Sequence, residues 1–487
     1  MGILSNTEPK DVMRYFEDIC SIPHCSGNTG AIADYCEKFA AEHSLECIRD
    51  EYNNIIIKKP AADPEAVCGP VIIQGHLDMV CAKTDDTDID FEKDGLHLVT
   101  DGEYIWAEGT TLGGDDGIAV AMALAVLAAD DIKHPALECV FTVDEEIGML
   151  GAMEIAPENI EGRTLLNIDS EEEGIFTVSC AGGAILTAEL PMTRYGSDRN
   201  EAGKRYIIRV SGLTGGHSGT EIDKGRENAC VMLGRLLGEL DAKIPFELVS
   251  VKGGEKDNAI PRSAEAEVET RDLSGFEAAV SELAADYRLR YGMAEPKLEI
   301  TLDEGGSEAL PMYASCKAAV IRLLGSLPNG VKKMSPDIKG LVETSDNIGV
   351  LETDENCVRV TVSVRSSEEE EKTALLGEAA IAVTAAGGSY TVSGEYPAWE
   401  YKHESRLREA AAEVYVKQYG SEPVISAIHA GLECGIFCGK LDGLDCISFG
   451  PNILDIHTPD ERLDIGSTAR VYEFLKELLS RLGRGKA

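Results

Sequence analysis

The chain is short of positive charge: Lys and Arg number 45 against 86 Asp and Glu, a formal charge of −41 over 487 residues. A surface of that sign repels phosphate backbones, which excludes nucleic acid as a partner class. The excess acid reads as a solvated, soluble exterior. The opening MGILSNTEPKDVMRYFEDIC lacks a basic segment leading into an apolar core, so no secretory signal is expected. Asn6 stands where a myristoylation motif wants Ser or Thr. No apolar run approaches the length of a membrane span, so no membrane partner is expected. The 14 cysteines contain no Cys-x-x-Cys pair and read as buried free thiols in a reducing compartment. The expected location is the cytoplasm. A Gly-x-Ser-x-Gly elbow is also missing, which argues against a serine nucleophile.

What is present is length and alternation. The chain is long enough for two or three domains, and 44% apolar residues support full cores. After two opening helices, apolar strands such as VIIQGHLD, LECVFTVDEE and TLLNIDSEE alternate with helices, the Ala-rich IAVAMALAVLAAD among them. That order predicts an α/β domain built on a mainly parallel sheet covered on both faces. From residue 186 to 396 the texture changes to two successive helix–strand–strand–helix–strand layouts, predicting an inserted α+β domain of two similar ferredoxin-like sandwich units. Alternation resumes at 397. The expected domains are therefore a first catalytic part at 1–185, a lid at 186–396 and a second catalytic part at 397–487, insertion being tolerated where an insert's ends lie close together.

The chemistry lies in where acids and histidines fall. His76 and Asp78 follow an apolar strand, and their spacing of two points both to one side if the extended geometry continues. Asp144, Glu145 and Glu146 end a second strand, and Asp169 ends a third. Binding crevices in open α/β sheets lie beyond the carboxyl ends of the strands. Asp115 and Asp116 occupy a Gly-flanked turn before the Ala-rich helix, and His457 lies in a loop after another strand. Taken singly, Asp115 reads as a helix cap, the two histidines as ordinary hydrogen-bonded residues, and Glu145 and Glu146 as a solvated turn. Together they form an acidic cluster that repels itself unless a cation neutralises it, and a mixed His/Asp/Glu set suits zinc, with manganese or cobalt as substitutes.

His76-Leu-Asp78, Gly-Gly-Asp115-Asp116-Gly, Asp144-Glu145-Glu146-Ile-Gly, Asn-Ile-Asp169-Ser and His457-Thr-Pro occur in the order used by co-catalytic two-zinc peptidases and aminoacylases. Within them the chain most resembles the aminoacyl-histidine (Xaa-His, cytosol non-specific) dipeptidases, through HLDMV, LLNIDSEEEG with its following CAGG, GLTGGHSG, NAIPR and AGLECG, over nearly its whole length. The resemblance implies two zinc ions bridged by Asp115, one completed by His76 and Asp169 and the other by Glu146 and His457. It implies Asp78 behind His76, Glu145 as general base, and a cis peptide after Asp115. His217 is the implied donor to the oxyanion, and Asn258, Arg365 and Gly431 are the implied substrate contacts. Relatives often carry Asn where this chain has Asp116, which adds one negative charge near the metals.

The implied activity is hydrolysis of dipeptides, Xaa-His and β-alanyl-histidine among them. The alternatives are deacylation of N-acyl amino acids by the same metals and a metal-binding scaffold without catalysis. The implied assembly is either a homodimer through the lid or a monomer whose duplicated lid imitates the partner.

Overall fold

The computed structural model describes residues 2–63, 66, 68–196 and 202–484. The chain divides into two compact units, one of Met1–Cys180, Tyr401–Ala427 and Leu432–Ala487, the other of Ala181–Glu400 with Ile428–Gly431.

The first unit is built on an eight-stranded mixed sheet, in the order Glu46–Arg49, Ile55–Lys59, Leu137–Thr142, Val71–His76, Thr164–Asn167, Asp445–Ser448, Ile175–Cys180 and Val424–Ile428. The four central strands are parallel to one another, and antiparallel strands flank them. Both central hydrophobic strands, VIIQGH and LECVFT, are buried at every position. Such strands must be covered on both faces, which is why they read as apolar runs rather than alternations. The helix Gly114–Ala128 packs on Val71–His76 and is buried from Gly114 through Leu127, so its Ala-rich composition lets neighbours approach closely on all sides. A separate four-stranded sheet joins the hairpin Leu98–Thr100/Tyr104–Ala107 to the hairpin Ile453–Leu454/Arg462–Asp464.

The second unit carries a nine-stranded antiparallel sheet. Its order runs Glu299–Glu304, Lys204–Ser211, Ala264–Thr270, Glu247–Gly253, Val342–Thr353, Cys357–Ser366, Gly182–Pro191 and Ser389–Tyr396, with Gly330–Met334 paired beside Val342–Thr353. Lys204–Ser211 alternates buried and part-buried residues, the mark of a sheet with one covered face. Leu186, Ile208, Leu248, Val268 and Val360 supply the strand side of a core shared with Leu233, Phe276 and Leu324 from helices.

The two halves of this sheet differ from the expected succession. The first four strands in the order all lie between residues 204 and 304. The other four include Gly182–Pro191, which precedes them in sequence, so one half is inserted inside the other. Each half then has a strand, helix, strand, strand, helix, strand sequence and the same spatial order from its outer edge. The sequence layout assigned no first strand to the second half because that strand lies upstream, across the whole of the first half.

Candidate metal centre

Three strands of the first unit end beside one another, and their carboxyl ends carry His76, Asp169 and the Asp144–Glu146 turn. His76 is 1% exposed. Its Nδ1 donates to the Asp78 backbone carbonyl at 2.9 Å, which in the neutral ring leaves the Nε2 lone pair free for a ligand role. His76 Nε2 lies 3.1 Å from Asp115 Oδ1 and 3.5 Å from Asp169 Oδ1. On the other side of Asp115, His457 Nε2 lies 3.1 Å from Oδ2 and 2.9 Å from Glu146 Oε1. The hairpin loop between Ile453–Leu454 and Arg462–Asp464 carries His457 to this position, with the residue at φ 62°.

The turn that holds Asp115 is fixed by a carboxylate from the same loop. Glu461 accepts the backbone N–H groups of Leu112 at 2.9 Å, Gly113 at 3.3 Å and Gly114 at 2.8 Å. Gly113 sits at φ +66°, and a Cβ there would come within 2.8 Å of Met79 Sδ, so the turn demands glycine on two counts. The Asp115–Asp116 peptide is cis. Asp116 Oδ2 accepts the His76 N–H at 3.1 Å in space that exists because residue 75 is glycine.

Asp78 organises the general-base candidate as well as His76. Its carboxylate accepts the Glu145 N–H at 3.1 Å, the Glu146 N–H at 3.3 Å and the Ser26 hydroxyl at 2.8 Å. Gly27 N–H donates to Asp144 Oδ1. The loop carrying Ser26 and Gly27 is fastened by a disulfide between Cys25 and Cys81, with Cα atoms 5.7 Å apart. This corrects the expectation of free thiols throughout. The two cysteines are 56 residues apart, and a bridge between Cys25 and Met79 brings their segments side by side. The other 12 cysteines form no disulfide among the described residues.

Whether these residues fit metal ions can be judged from charge and donors. His76/Asp116/Asp169, His76/Glu145/Glu146 and Asp115/Glu146/His457 each place their ligand atoms within 4.8 Å of one another. Among the described residues no lysine or arginine pairs with Asp115, Glu146 or Asp169. Glu146 Oε1 is buried and meets the His457 ring nitrogen at 2.9 Å outside hydrogen-bond geometry. Burial, and next the neighbouring charges of Asp115 and Glu171, pushes Asp169 well above the usual carboxylate range. Burial and the charges of Asp169, Glu146 and Asp115 push Glu145 up to about 8. Burial opposes a charge on His76, but Asp115, Asp169 and Asp78 raise it well above its ordinary value, and Asp115 and Glu146 raise His457 to about 10. Asp169 and Glu145 resist ionising, whereas Asp115, despite its burial, is held below its ordinary value only because His457 and His76 keep their protons against it; such a site lacks positive charge that cations would supply. The residues fit.

The second unit assembles its own cluster. The short strand Gly216–His217 pairs with Ala259–Ile260, and Ser218 N–H donates to the Asn258 carbonyl at 2.9 Å. His217 Nδ1 accepts the backbone N–H groups of Gly219 at 3.2 Å and Thr220 at 3.1 Å. The ring proton therefore sits on Nε2. Burial, then the charge of Arg365, lowers the His217 pKa. Arg365 Nη1 donates to the Tyr396 hydroxyl at 3.1 Å, and its Nε is buried without a partner. His429 Nε2 and Ser345 Oγ are bonded at 2.7 Å, and Gly431 follows two residues later in the same segment.

Residues 72–481 match the sequence profile described as Peptidase family M20/M25/M40. The chain belongs to that family. It is 36% identical over 485 residues to the cytosol non-specific dipeptidase of Escherichia coli (strain K12), covering 99% of each chain. Among solved structures it is similar to aminoacylhistidine dipeptidase from Vibrio alginolyticus, at 36% identity, 98% coverage of each chain and a TM-score of 0.89. Aminopeptidase PepT from Bacillus cereus ATCC 10987, 15% identical with a TM-score of 0.56 over 98% of this chain and 99% of that one, is similar in fold alone.

In this M20-family chain, sequence reasoning missed Glu461, Ser26 and Gly27, which hold the ligand-bearing turns. Glu461 follows His457 by four residues in HTPDE, but nothing local in that string distinguishes a carboxylate that caps a distant turn from a solvated one.

Proposed function

We propose that this chain hydrolyses dipeptides with a free N-terminus, Xaa-His and β-alanyl-histidine substrates included, using two divalent cations, zinc first and manganese or cobalt as substitutes. The observation that carries the reading is the convergence of two imidazole Nε2 atoms, each at 3.1 Å, on the two oxygens of one buried carboxylate, Asp115. A carboxylate approached in that way suits a bridge between two ions. His76 and Asp169 would complete one ion's ligands, Glu146 and His457 the other's. The similarity to the Escherichia coli dipeptidase over 99% of both chains supports the substrate class.

Held by these residues, two cations would supply polarisation of a peptide carbonyl and a lowered pKa for water. The chain's residues do the rest. Glu145 takes the proton of the attacking water and passes it to the leaving amine. Asp78 holds Glu145 and Glu146 by their backbone N–H groups and His76 through its carbonyl. His217, neutral and with its proton on Nε2, is suited to donate to the oxyanion. Arg365, with Nε free, is suited to the substrate carboxylate, helped by Asn258 and the backbone at Gly431. In this reading the inserted segment is the lid of the enzyme, and its nested halves are two copies of a ferredoxin-like unit. The cytosol is the proposed location, on the strength of the relative's name. Among the described residues no helix is long and apolar enough to cross a membrane.

The test is cleavage of a dipeptide panel, with β-Ala-His and N-acetylated controls, before and after chelation and zinc restoration. Cleavage of free dipeptides that chelation abolishes and zinc restores is the expected result. Cleavage of the acetylated compounds alone would move the chain to amide deacylation, and no zinc-dependent cleavage would leave a metal-binding scaffold.

A further inference from the structure

Directly beneath the ligands lies a polar layer that the chemistry above does not use. Gln74 precedes His76 by two residues, Asn167 precedes Asp169 by two, and Thr142 precedes Glu145 by three. All three side chains are fully buried. Gln74 and Asn167 are register partners on adjacent parallel strands, and Thr142 is the register partner of His76. Asn167 Nδ2 donates to Gln74 Oε1 at 2.6 Å, and Gln74 Nε2 lies 3.3 Å from the Thr142 hydroxyl. Both then converge on one carboxyl oxygen from outside the sheet: Gln74 Nε2 and Thr142 Oγ1 each donate to Glu433 Oε2, the latter at 2.7 Å. Glu433 is the first residue of the helix Glu433–Lys440. It has no solvent exposure, and its second oxygen has no partner.

Buried carboxyl groups are expensive to place away from water, and this one forms no ion pair with a lysine or arginine among the described residues. Its two bonds go to Gln74 and Thr142 on two of the ligand-bearing strands, and Gln74 passes the link to Asn167 on the third. We infer that Glu433 is a positioning residue, whose single bonded oxygen ties the strands delivering His76, Asp169 and Glu145 and so fixes the spacing of the metal ligands and the base. This rests on the dipeptidase reading for its kinetic consequence, but its effect on metal retention does not. Because Oε2 alone accepts both bonds, the carbonyl oxygen of a glutamine can replace it. Alanine cannot. Partners of metal ligands that act in this way typically affect affinity or activity by about 10–100-fold.

The experiment compares wild type, E433Q, E433A and T142V for kcat and KM on a dipeptide and for zinc retained on dialysis against a chelator. The expected result is a kcat about 10–100-fold lower in E433A, with KM little changed and zinc lost faster. E433Q should lie near wild type in all three, and T142V, which removes one of the two bonds, should fall between. Wild-type kcat and zinc retention in E433A would overturn the inference. So would an E433Q defect as large as that of E433A, because charge rather than the shared bond would then be the operative property. Should E433A fail to fold, T142V decides: zinc retention equal to wild type overturns the inference. If wild type itself cleaves no dipeptide, the functional reading fails, while the zinc comparison still tests Glu433.

Discussion

The site histidines of the two units are displaced in opposite directions, while His24 and His134 of the first unit, away from its acidic cluster's ligand set, are lowered by burial. In the first unit His76 and His457 are held above their ordinary pKa by the carboxylates they face. In the second, His217 and His429 are pushed below it by burial and then by Arg365, His429 to about 3. One region therefore concentrates negative charge and calls for cations, whereas the other keeps its imidazoles neutral and offers N–H donors. The lesson is that histidine in this chain has no single role: the sign of the surrounding charge assigns it as ligand or donor.

The largest expected effect tests the acidic region. Glu145→Ala should lower kcat by about 10²–10⁴-fold, the range for a lost general base, while elemental analysis finds the same metal content as wild type. Near-normal turnover would show that the cluster binds cations without Glu145 serving as base. The next tests the neutral region. His217→Ala should lower kcat by about 10²–10³-fold, as for loss of one oxyanion donor, with metal content and KM little moved; an unchanged kcat would make His217 a turn residue. Arg365→Ala should act on binding instead. It should raise KM by about 10–100-fold, the equivalent of a lost charge-assisted bond, and much less for a dipeptide amide that lacks the terminal carboxylate.

The smallest effect concerns stability rather than activity. His429 stays neutral in the folded protein down to about pH 3, while the unfolded chain takes up that proton near pH 6.5. A depressed histidine thus costs stability as pH falls below about 6.5, at up to about 1.4 kcal/mol per pH unit until its folded pKa is reached. Denaturant unfolding of His429→Gln should show a shallower loss between pH 6.5 and 5 than wild type. Identical slopes would mean that His429 gains its proton in the folded state, and the contrast between the units would weaken.

Much of the acidic region was legible in the sequence, because parallel strands are buried on both faces and a polar residue at their ends stands out against an apolar run. His76, Glu145, Glu146 and Asp169 follow the ends of such strands, and Asp115 and His457 join them from a helix-start turn and a hairpin loop. What could not be read depends on long-range pairing. Glu461 caps a turn some 350 positions away, and Glu433 enters the sheet from beneath. The Cys25–Cys81 bridge has no spacing signature. The mixed edges of the first sheet and the nesting of the second followed from the same blindness, since Gly182–Pro191 finds its neighbours only at Cys357–Ser366 and Ser389–Tyr396.

That nesting has a consequence for the order in which the chain leaves the ribosome. Strands Thr164–Asn167 and Ile175–Cys180 flank Asp445–Ser448 in the first sheet, so their shared neighbour is made only after the entire inserted unit has emerged. Gly182–Pro191 likewise waits for partners synthesised after the inner half of its own sheet. The chain closes like nested brackets: the inner half of the second unit can fold first, that unit next, and the metal-ligand sheet last, once Asp445–Ser448 and His457 have been made.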